Sequence, residues 1–293
     1  MRVTQQMLNQ NSVRNMHQNL SRFEKVNNQV STGKLLNRPS DDPNGVSKSM
    51  SLKSSLAANQ QFERNAGEAK LWMEETDQNI NAMVNVMQRV RELGVQSNTD
   101  TLSDSDRKAI AAEVKQLTEQ VREFANTKVN GNFLFNGKNT DQAPYPKSDS
   151  YLTTTFEVAA KTIVIGDNVT IEASVTPDKI FGNADDETNL FQALNKMVNS
   201  LKADEKVDLG MIDGGIERLL TVSAENGGRQ NRLEAVENRL LDSNLELKSM
   251  LSKLQDTDYA EAIIKLKSEE SVYQASLAAT SKIIQPSLMD FLR

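Results

Sequence analysis

Few residues of this 293-residue chain have the types and spacing that catalysis or metal binding requires. His17 is the single histidine and cysteine is absent, so a transition-metal site would need unusual ligands and no thiolate nucleophile is present. Carboxylate pairs stand at Asp41-Asp42 and Asp185-Asp186, in segments typical of loops, where carboxylates are ordinarily hydrated. The patterns G-x-x-x-x-G-K-S/T, G-x-G-x-x-G and G-x-S-x-G do not occur. We therefore expect no enzyme activity, no catalytic residue, no metal site and no cofactor.

The composition is typical of extended helices more than of a compact enzyme. Aromatic residues make up 5% of the chain, and the mean hydropathy is −0.54. No segment approaches the roughly 18 consecutive apolar residues of a membrane span. No basic cluster interleaved with aromatic residues is present, as nucleic-acid binding would favour. We expect neither membrane insertion nor nucleic-acid binding.

The net charge of −6 is concentrated in one segment. Residues 138–215 contain seven Lys/Arg and thirteen Asp/Glu, so this segment alone has a net charge of −6. The remainder holds twenty-seven residues of each sign and is neutral. A neutral helical part can pack into a dense assembly with little long-range repulsion, whereas an acidic segment suits solvent.

The first residues lack the apolar run of a secretory signal peptide. Residence in the cytosol and export without a cleaved signal both remain open on this ground. The absence of cysteine excludes disulfides and is compatible with an oxidising exterior without requiring one.

Both ends of the chain carry apolar residues at alternating steps of three and four. Such spacing places one stripe of a helix against a partner helix. Because this stripe cannot be buried by its own helix, we expect residues 7–35 and 259–293 to pair with each other or with a neighbouring molecule. Asn27 and Glu270 fall on the stripes and favour a specified partner, because polar residues weaken isolated pairing. The residues predicted to form the assembly interface are Met16, Leu20, Phe23, Val30, Ile263, Leu266, Tyr273, Leu277 and Ile284.

Helix boundaries can be predicted from proline and from capping residues. Pro39 and Pro43 mark a break after the first helix, with Asp42 as N-cap and Pro43 as first residue of the next helix. The sequence Ser103-x-x-Asp106 predicts a capped third helix that ends near Asn130-Gly131. The second helix has the longest stripe: Phe62, Ala66, Ala69, Met73, Thr76, Ile80, Met83, Met87, Val90 and Gly94.

The period changes after residue 130. Residues 130–137 predict a tight hairpin, because Asn-Gly pairs stand on both sides of an apolar run. Strands are predicted at Tyr151–Val158, Thr162–Ile165 and Val169–Val175, and a helix at Glu187–Leu201.

Helix returns from Leu209 and continues through Gly227-Gly228. Asp256-Thr257-Asp258 interrupts it, and Asp258 followed by Glu261 predicts a capping box for a last helix that ends at Ile284.

These elements predict a mainly α fold, a long antiparallel helical bundle built from both chain ends, with a small β-rich inserted domain. We expect three domains. The first is an axial coiled-coil domain of terminal helices from residues 1–36 and 257–293. The second is a helical bundle with a β-hairpin from residues 37–137 and 209–256, and the third is a small acidic β-rich outer domain from residues 138–208.

Several motifs together resemble the flagellin superfamily at both ends of the chain. Near the start, QVSTGK at residues 29–34 is followed by NRPSDDP at residues 37–43. The helical return carries GRQNRLE at residues 228–234, and the last helix opens with DTDYAE at residues 256–261. The loop PSDDP, the start MRVTQ and the ending QPSLMDFLR resemble the distal hook–filament junction type more than filament subunits. The residues that match the family motifs are Pro39, Ser40, Asp41, Asp42, Pro43, Gln230, Asn231, Arg232, Asp256 and Asp258.

The resemblance implies a structural adaptor of the bacterial flagellum that joins the hook to the flagellin filament through its terminal helices. It implies as partners further copies of the chain, the other hook-associated junction protein, flagellin, and an export chaperone that binds the C-terminal helix. It also implies an extracellular location reached by type III export without a cleaved signal peptide. Two alternatives remain, a flagellin filament subunit and a non-flagellar coiled-coil interaction protein.

Overall fold

The structure, a computed structural model, describes residues 5–99, 103–146, 155–186 and 188–284. Long helices dominate these residues, and the two small sheets lie in the middle of the chain. The elements in chain order are α1 (Gln5–Thr32), α2 (Pro43–Ser97), α3 (Asp104–Ala125), β1 (Lys128–Val129), β2 (Asn132–Phe133), β3 (Thr162–Gly166), β4 (Val169–Glu172), α4 (Pro177–Phe181), α5 (Leu190–Lys202), α6 (Leu209–Gln255) and α7 (Tyr259–Ile284).

The chain divides into two compact units. The terminal unit comprises Met1–Ala58 and Ser243–Arg293, and the central unit comprises Asn59–Asp242. α1 and α7 pack together in the terminal unit, so helices from the two chain ends pair as the sequence predicts. The predicted fold class, mainly α with a small β-containing insert, is confirmed. Among the described helices, none combines the length and the apolar composition that a transmembrane span requires.

The core of the central unit contains the stripe predicted on α2. Its members from Ala66 to Val90 are fully buried, and the partly buried Phe62 packs against this core. Gly94 continues the stripe, and a Cβ there would lie 2.7 Å from Leu209 Cδ2. From α6, Leu233, Val236 and Leu240 join this core. Both long helices therefore bury one face by the local 3.6-residue period.

The caps of α3 explain its length. Ser103 Oγ accepts a hydrogen bond from the Asp106 N–H, and Asp106 Oδ2 accepts one from the Ser103 N–H, which confirms the predicted capping box. The helix ends at Ala125, five residues before the predicted end. Asn126 stops it, because its side-chain amide donates to the Tyr145 carbonyl at 2.7 Å and its Oδ1 accepts from the Tyr145 N–H at 3.1 Å.

The predicted hairpin after α3 is present but short. β1 pairs antiparallel with β2, with Lys128 opposite Phe133 and Val129 opposite Asn132. Asn130 and Gly131 form the two-residue loop with φ values of 50° and 84°, the left-handed pair that a type I′ turn requires. After β2, Leu134 and Phe135 enter the core fully buried.

Three strands are predicted in the middle region, and its described residues contain two, which pair with each other. β3 and β4 pair antiparallel with a register irregularity between Val164 and Gly166, and β4 ends at Glu172 instead of Val175. The strand predicted at Tyr151–Val158 is wrong for residues 155–158, and residues 151–154 lie outside the described residues. The Phe156 N–H donates a hydrogen bond to Asn183 Oδ1 at 2.9 Å, and the Phe156 ring packs edge-to-face on Tyr145. These two contacts, and not strand pairing, hold the segment in place.

Two helices complete the middle region. The helix predicted at Glu187–Leu201 is α5, which begins at Leu190 with Asn189 as its N-cap. The single turn α4 was not predicted. Aromatic rings converge between these two helices. Burial of the Tyr145 hydroxyl raises its pKa far above the ordinary value, and the negative charge of Asp178 raises this pKa further. The rings in this cluster belong to Phe135, Tyr145, Phe156, Phe181 and Phe191.

Trp72 of α2 is 2% exposed in the central unit. The Lys161 Nζ lies 4.3 Å from the ring centroid and 2.9 Å from Glu68 Oε1, so the ammonium is held between a ring face and a carboxylate. This contact attaches the residue just before β3 to α2.

Candidate assembly surface in the terminal unit

α1 and α7 meet along a partly buried stripe. On α1, the predicted residues Met16, Leu20, Phe23 and Val30 are each half-buried. On α7, the predicted residues Leu266 and Tyr273 are half-buried. The rings of Phe23 and Tyr273 stack with centroids 6.0 Å apart and planes 9° from parallel. The structure therefore places six of the nine residues predicted for assembly at half-buried positions of α1 and α7, with Phe23 and Tyr273 in direct contact.

The other three predicted residues lie differently. Ile263 is 48% exposed and Leu277 is 41% exposed, and both lie beside the stripe that faces α1. The side chain of Ile284 is outside the described part of the chain. Six residues of α7 that are shielded from solvent follow a 4-3-4-3-4 spacing: Ala262, Leu266, Glu269, Tyr273, Ser276 and Thr280. Glu270, which the sequence places on the stripe, is half-buried as well.

Polar groups interrupt the stripe between the two helices. Glu269 Oε2 lies 3.4 Å from Arg22 Nε, yet this oxygen is buried without a hydrogen bond among the described residues. Asn9 Oδ1 is also buried without a hydrogen bond among the described residues. Thr280 is also buried, 6% exposed. A buried polar atom without a hydrogen bond costs free energy, and the ion pair with Arg22 offsets part of this cost at Glu269.

The described residues of the terminal unit contain almost no hydrophobic core. Among the described residues, Ala262 is the single buried hydrophobic residue in this unit, and every other one lies in the central unit. By contrast, eleven of the sixteen large hydrophobic residues that are exposed in the described part of the chain belong to the terminal unit. The unit holds only 109 of the 293 residues, so its exposed apolar surface is out of proportion to its size. The eleven are Met7, Leu8, Leu35, Met50, Leu245, Met250, Tyr259, Ile263, Ile264, Val272 and Leu277.

Backbone hydrogen bonds join the breaks that precede α2 and α7. The Leu35 N–H donates to the Gln255 carbonyl at 2.7 Å, and the Thr257 N–H donates to the Gly33 carbonyl at 3.0 Å. Between them, Lys34 and Asp256 form an isolated antiparallel bridge. We call residues 33–35 and 255–257 the clasp. It ties the end of α1 to the start of α7.

Gly33 is required at the clasp by its conformation and its surroundings. Its φ is +68°, in the left-handed region that residues with a Cβ rarely adopt. A Cβ at this position would lie 2.5 Å from the Tyr259 Oη. The sequence contained part of this signal, a glycine directly after a helix, but the approach of Tyr259 depends on tertiary structure.

The family-motif loop before α2 is held by its own carboxylates. Asp41 accepts from Lys25 Nζ at 3.1 Å and from the Arg38 N–H at 3.0 Å. The hydrogen bond from Lys25 is the main cause that lowers the pKa of Asp41. Asp42 Oδ1 accepts from the Asn44 N–H at 3.1 Å and Pro43 begins α2, as predicted. Pro39 and Ser40 are exposed in the same loop.

The second family motif starts α7. Asp256 lies in the clasp, and Asp258 Oδ1 accepts from the Ala260 N–H at 2.8 Å and the Glu261 N–H at 3.3 Å. Asp258 therefore caps the helix as predicted. The reciprocal half of the predicted capping box is not formed, because the Glu261 carboxylate pairs with Lys265 Nζ at 2.7 Å.

The third family motif belongs to the central unit. Gln230 is half-buried, and Asn231 and Arg232 are exposed on α6. Gln230 and Asn231 line a shallow polar cleft with residues of α2, and across it Lys70 pairs with Glu237 at 3.7 Å. The ten motif residues therefore form no single site. Their roles in the described structure are capping, loop closure and surface exposure.

No group of three or more metal-ligating side chains occurs among the described residues. His17 is exposed on α1. What the terminal unit offers instead is exposed apolar surface on helices without a core, an arrangement suited to helix–helix contact with other chains.

Two sequence-family models match this chain. The bacterial flagellin N-terminal helical region matches residues 3–140, and the bacterial flagellin C-terminal helical region matches residues 209–292. The chain belongs to the flagellin superfamily. Membership places it among structural proteins of the bacterial flagellum, an extracellular assembly, and this is not a class of enzymes.

The relatives in this superfamily include hook-associated proteins and filament proteins. Flagellar hook-associated protein 3 of Escherichia coli K12 is 29% identical over 95% of this chain and 96% of its own length. The same protein of Salmonella typhimurium is 28% identical over 94% and 95%. A filament 31.3 kDa core protein of Treponema maltophilum is 26% identical over 85% and 84%.

Solved structures show the same fold. A flagellar hook-associated protein of Vibrio parahaemolyticus, 21% identical, covers 74% of this chain and all of its own, with a TM-score of 0.65. Hook-associated protein 3 of Legionella pneumophila, 16% identical, covers 69% of this chain and 98% of its own, with a TM-score of 0.61.

Proposed function

We propose that this chain is the structural adaptor subunit that joins the flagellar hook to the flagellin filament, and that it assembles through its terminal helices. The observation that carries the proposal is the near absence of buried hydrophobic residues in a terminal unit that exposes eleven large ones. Similarity to hook-associated protein 3 over almost the whole chain favours the junction role within the superfamily.

Neighbouring subunits would complete the terminal unit. Contacts between α1 and α7 within one subunit involve Met16, Leu20, Phe23, Val30, Leu266 and Tyr273. The exposed residues Ile263 and Leu277 meet helices of neighbouring subunits, and the sequence spacing assigns Ile284 the same role. Ordering α1 and α7 costs conformational entropy, on the order of 1–2 kcal/mol per residue fixed. Contacts buried between subunits at the growing tip offset this cost. Assembly is therefore disfavoured until several neighbours are present.

The proposed arrangement has three layers. Residues 1–36 and 257–293 form the axial layer, residues 37–137 and 209–256 the bundle around it, and residues 138–208 the outer domain. The acidic character of residues 138–208 suits a solvent-facing position, since like charges there repel one another.

The partners follow from this role. One edge of a ring of copies meets the other hook-associated junction protein, and the opposite edge meets flagellin. An export chaperone covers the C-terminal helix before secretion, because the apolar stripe of α7 is exposed until assembly. The subunit reaches the flagellum unfolded, through type III export, without a cleaved signal peptide.

Deletion of the gene tests the role directly. We expect bare hooks by electron microscopy and flagellin released into the medium by immunoblot, because export continues while the filament has no base. Complementation with the intact chain serves as control and restores filaments. Normal filaments in the deletion strain would refute a role at the junction.

The second candidate is a filament subunit, favoured by the match to filament core proteins over 85% of the chain. In that case the deletion strain has bare hooks and lacks this chain as the filament protein, so no flagellin appears in the medium. The third candidate, a non-flagellar coiled-coil interaction protein, predicts normal motility after deletion.

A further inference from the structure

Four Asn-Gly pairs occur in this chain, at residues 44–45, 130–131, 136–137 and 226–227. In such a pair the main-chain nitrogen of glycine can attack the side-chain amide carbon of asparagine, because glycine has no Cβ to hinder the approach. The reaction requires a free side-chain amide and a glycine that can move. The structure differs sharply among the four pairs in both respects.

Two pairs are enclosed and hydrogen-bonded. Asn226 is 1% exposed within the long helix α6, and its Nδ2 donates to the Met73 carbonyl at 2.8 Å. Asn136 is 6% exposed, and its Nδ2 donates to the carbonyls of Asn139 and Gln142 at 3.1 and 2.9 Å. A Cβ on the following Gly137 would lie 2.4 Å from the Ala159 carbonyl oxygen. Both amides are held away from the geometry of attack.

The pair at residues 44–45 is restrained through its glycine. Asn44 is exposed, but Gly45 is buried in the first turn of α2. A Cβ on Gly45 would lie 2.4 Å from Asp42 Oδ2 and 2.9 Å from Leu36 Cδ1. Neighbouring atoms therefore crowd this glycine, and its rotation would disturb the start of the helix.

The pair at residues 130–131 is free in both respects. Asn130 is exposed, and its side-chain amide makes no hydrogen bond with the described residues. Gly131 is exposed, and no atom lies within 4 Å of the position of a Cβ there. The loop closes a hairpin whose strands are two residues long, so few ladder hydrogen bonds oppose its opening.

We propose that Asn130 is a site of spontaneous covalent modification in the folded protein. The Gly131 nitrogen forms a bond to the Asn130 Cγ and loses its proton, the Cγ–Nδ2 bond breaks, and ammonia leaves. Water then opens the resulting succinimide at either carbonyl, giving aspartate or isoaspartate. The co-reactant is water alone, and no oxidation state changes.

The modification alters the hairpin in two ways. Either product adds one negative charge at the loop, two residues along the chain from Lys128, whose ammonium lies 4.4 Å from the Phe133 ring centroid. Isoaspartate also inserts one methylene into the main chain of a two-residue loop, which the type I′ geometry does not accommodate. The β1–β2 register is then lost, whereas Leu134 and Phe135 beyond it stay buried.

Peptide mapping of the aged full chain tests the proposal. The purified protein is held at mildly alkaline pH in water enriched in heavy oxygen, digested with trypsin, and analysed by tandem mass spectrometry. The tryptic peptide 129–138 contains both Asn130 and Asn136, so the enclosed site is an internal control. We expect Asn130 to convert about tenfold or more faster than the other three sites, because reaction there breaks no hydrogen bond.

The same chain in denaturant provides the second control. All four sites should then convert at similar rates, since the folded contacts that separate them are gone. Equal rates in the folded chain, or faster conversion at Asn136 or Asn226, would overturn the proposal. No conversion at Asn130 during the time in which the denatured chain converts would also overturn it.

The variant Asn130→Asp separates charge from main-chain length. It carries the added charge with an unaltered backbone, so we expect its hairpin amides to be protected from hydrogen exchange as in the unmodified protein. The isoaspartate-containing fraction should lose that protection. Loss of protection in Asn130→Asp as well would contradict the effect assigned to the added methylene.

Discussion

Gly33 shows how one residue controls the joint between two helices. Its φ of +68° strains any residue that has a Cβ, and a Cβ would also have to displace the hydroxyl of the exposed Tyr259 side chain. We expect Gly33→Ala to destabilise the clasp by about 1–2 kcal/mol from the backbone alone, with the steric clash in addition. Hydrogen exchange at the Leu35 and Thr257 amides should accelerate, because both donate within the clasp.

The control for this prediction is Gly67→Ala, in α2 of the central unit. A Cβ there has no neighbour within 4 Å and the residue is helical, so this variant should be neutral or stabilising. Unchanged exchange at Leu35 and Thr257 in Gly33→Ala would show that the glycine is not needed.

Asp41 gives the loop before α2 a defined dependence on pH. Lys25 and the Arg38 N–H stabilise its charged form, so its pKa is lower in the folded state than in the unfolded chain. The stabilisation is therefore present above the unfolded pKa of about 4 and is lost as pH falls through the folded value. We expect the thermal stability of wild type to fall more steeply than that of Asp41→Asn between pH 5 and roughly pH 3.

The comparison is made by circular dichroism at matched ionic strength. Asp185→Asn, in the central unit, is the matched control and should follow the wild-type curve. Parallel curves for wild type and Asp41→Asn would mean that the Lys25–Asp41 pair contributes nothing measurable.

At the scale of elements, we propose different roles for two stripes of α7. Phe23 stacks on Tyr273 within the helix pair, whereas Leu277 is exposed beside it. We expect Phe23→Asp to separate α1 from α7. Truncating a fully buried Phe lowers the free energy of unfolding by about 3–5 kcal/mol, and because Phe23 is half-buried we expect about half of that loss. Leu277→Asp should leave the free subunit as stable as wild type but abolish incorporation into the flagellum.

Ser268→Asp is the matched control, since it adds a charge to another exposed position of α7. Stability is measured by denaturant unfolding, and incorporation by immunoblot of isolated hook–basal bodies. Incorporation of Leu277→Asp at the wild-type level would exclude the exposed stripe from the interface. Global unfolding of the central unit in either variant would contradict the independence of the two units.

The helices follow from sequence wherever their signals are local. The stripe on α2 and the caps at Ser103, Asp42 and Asp258 depend on neighbours within one or two turns, and each was predicted correctly. The middle region was predicted less well, because residues 155–158 have strand-like side chains but no partner strand. Pairing partners are set by tertiary structure.

The stripe of α7 illustrates a second limit. Hydrophobicity selects Ile263 and Leu277, but the helix turns Ala262, Glu269 and Ser276 toward shielded positions. A sequence that must satisfy a partner helix and further neighbours carries two overlapping patterns, and hydrophobicity alone cannot assign each to its partner. The clasp was missed because backbone hydrogen bonds leave no side-chain signal.

At the scale of the whole molecule, charge separates the two units. The terminal unit holds fourteen Lys/Arg and ten Asp/Glu, a net charge of +4, and the central unit holds twenty and thirty, a net charge of −10. Hydrophobic burial is separated in the same way. The two units therefore differ in both of the terms that dominate folding and association.

The difference in burial predicts stepwise unfolding. We expect limited proteolysis to cut α1 and α7 first and to leave a resistant fragment close to Asn59–Asp242, because the terminal helices have few buried apolar contacts. The fragment is identified by mass spectrometry, and hydrogen exchange should show the same order. Protection of α1 and α7 equal to that of α2 would contradict a coreless terminal unit.

Trp72 is the only tryptophan of the chain, and its indole is enclosed in the central unit beneath Lys161. Its fluorescence therefore reports the state of that unit alone. Far-ultraviolet ellipticity, in contrast, sums over every helix. Both signals can be recorded during incorporation without a label. A gain in helical ellipticity while the tryptophan emission stays constant would report ordering of the terminal helices.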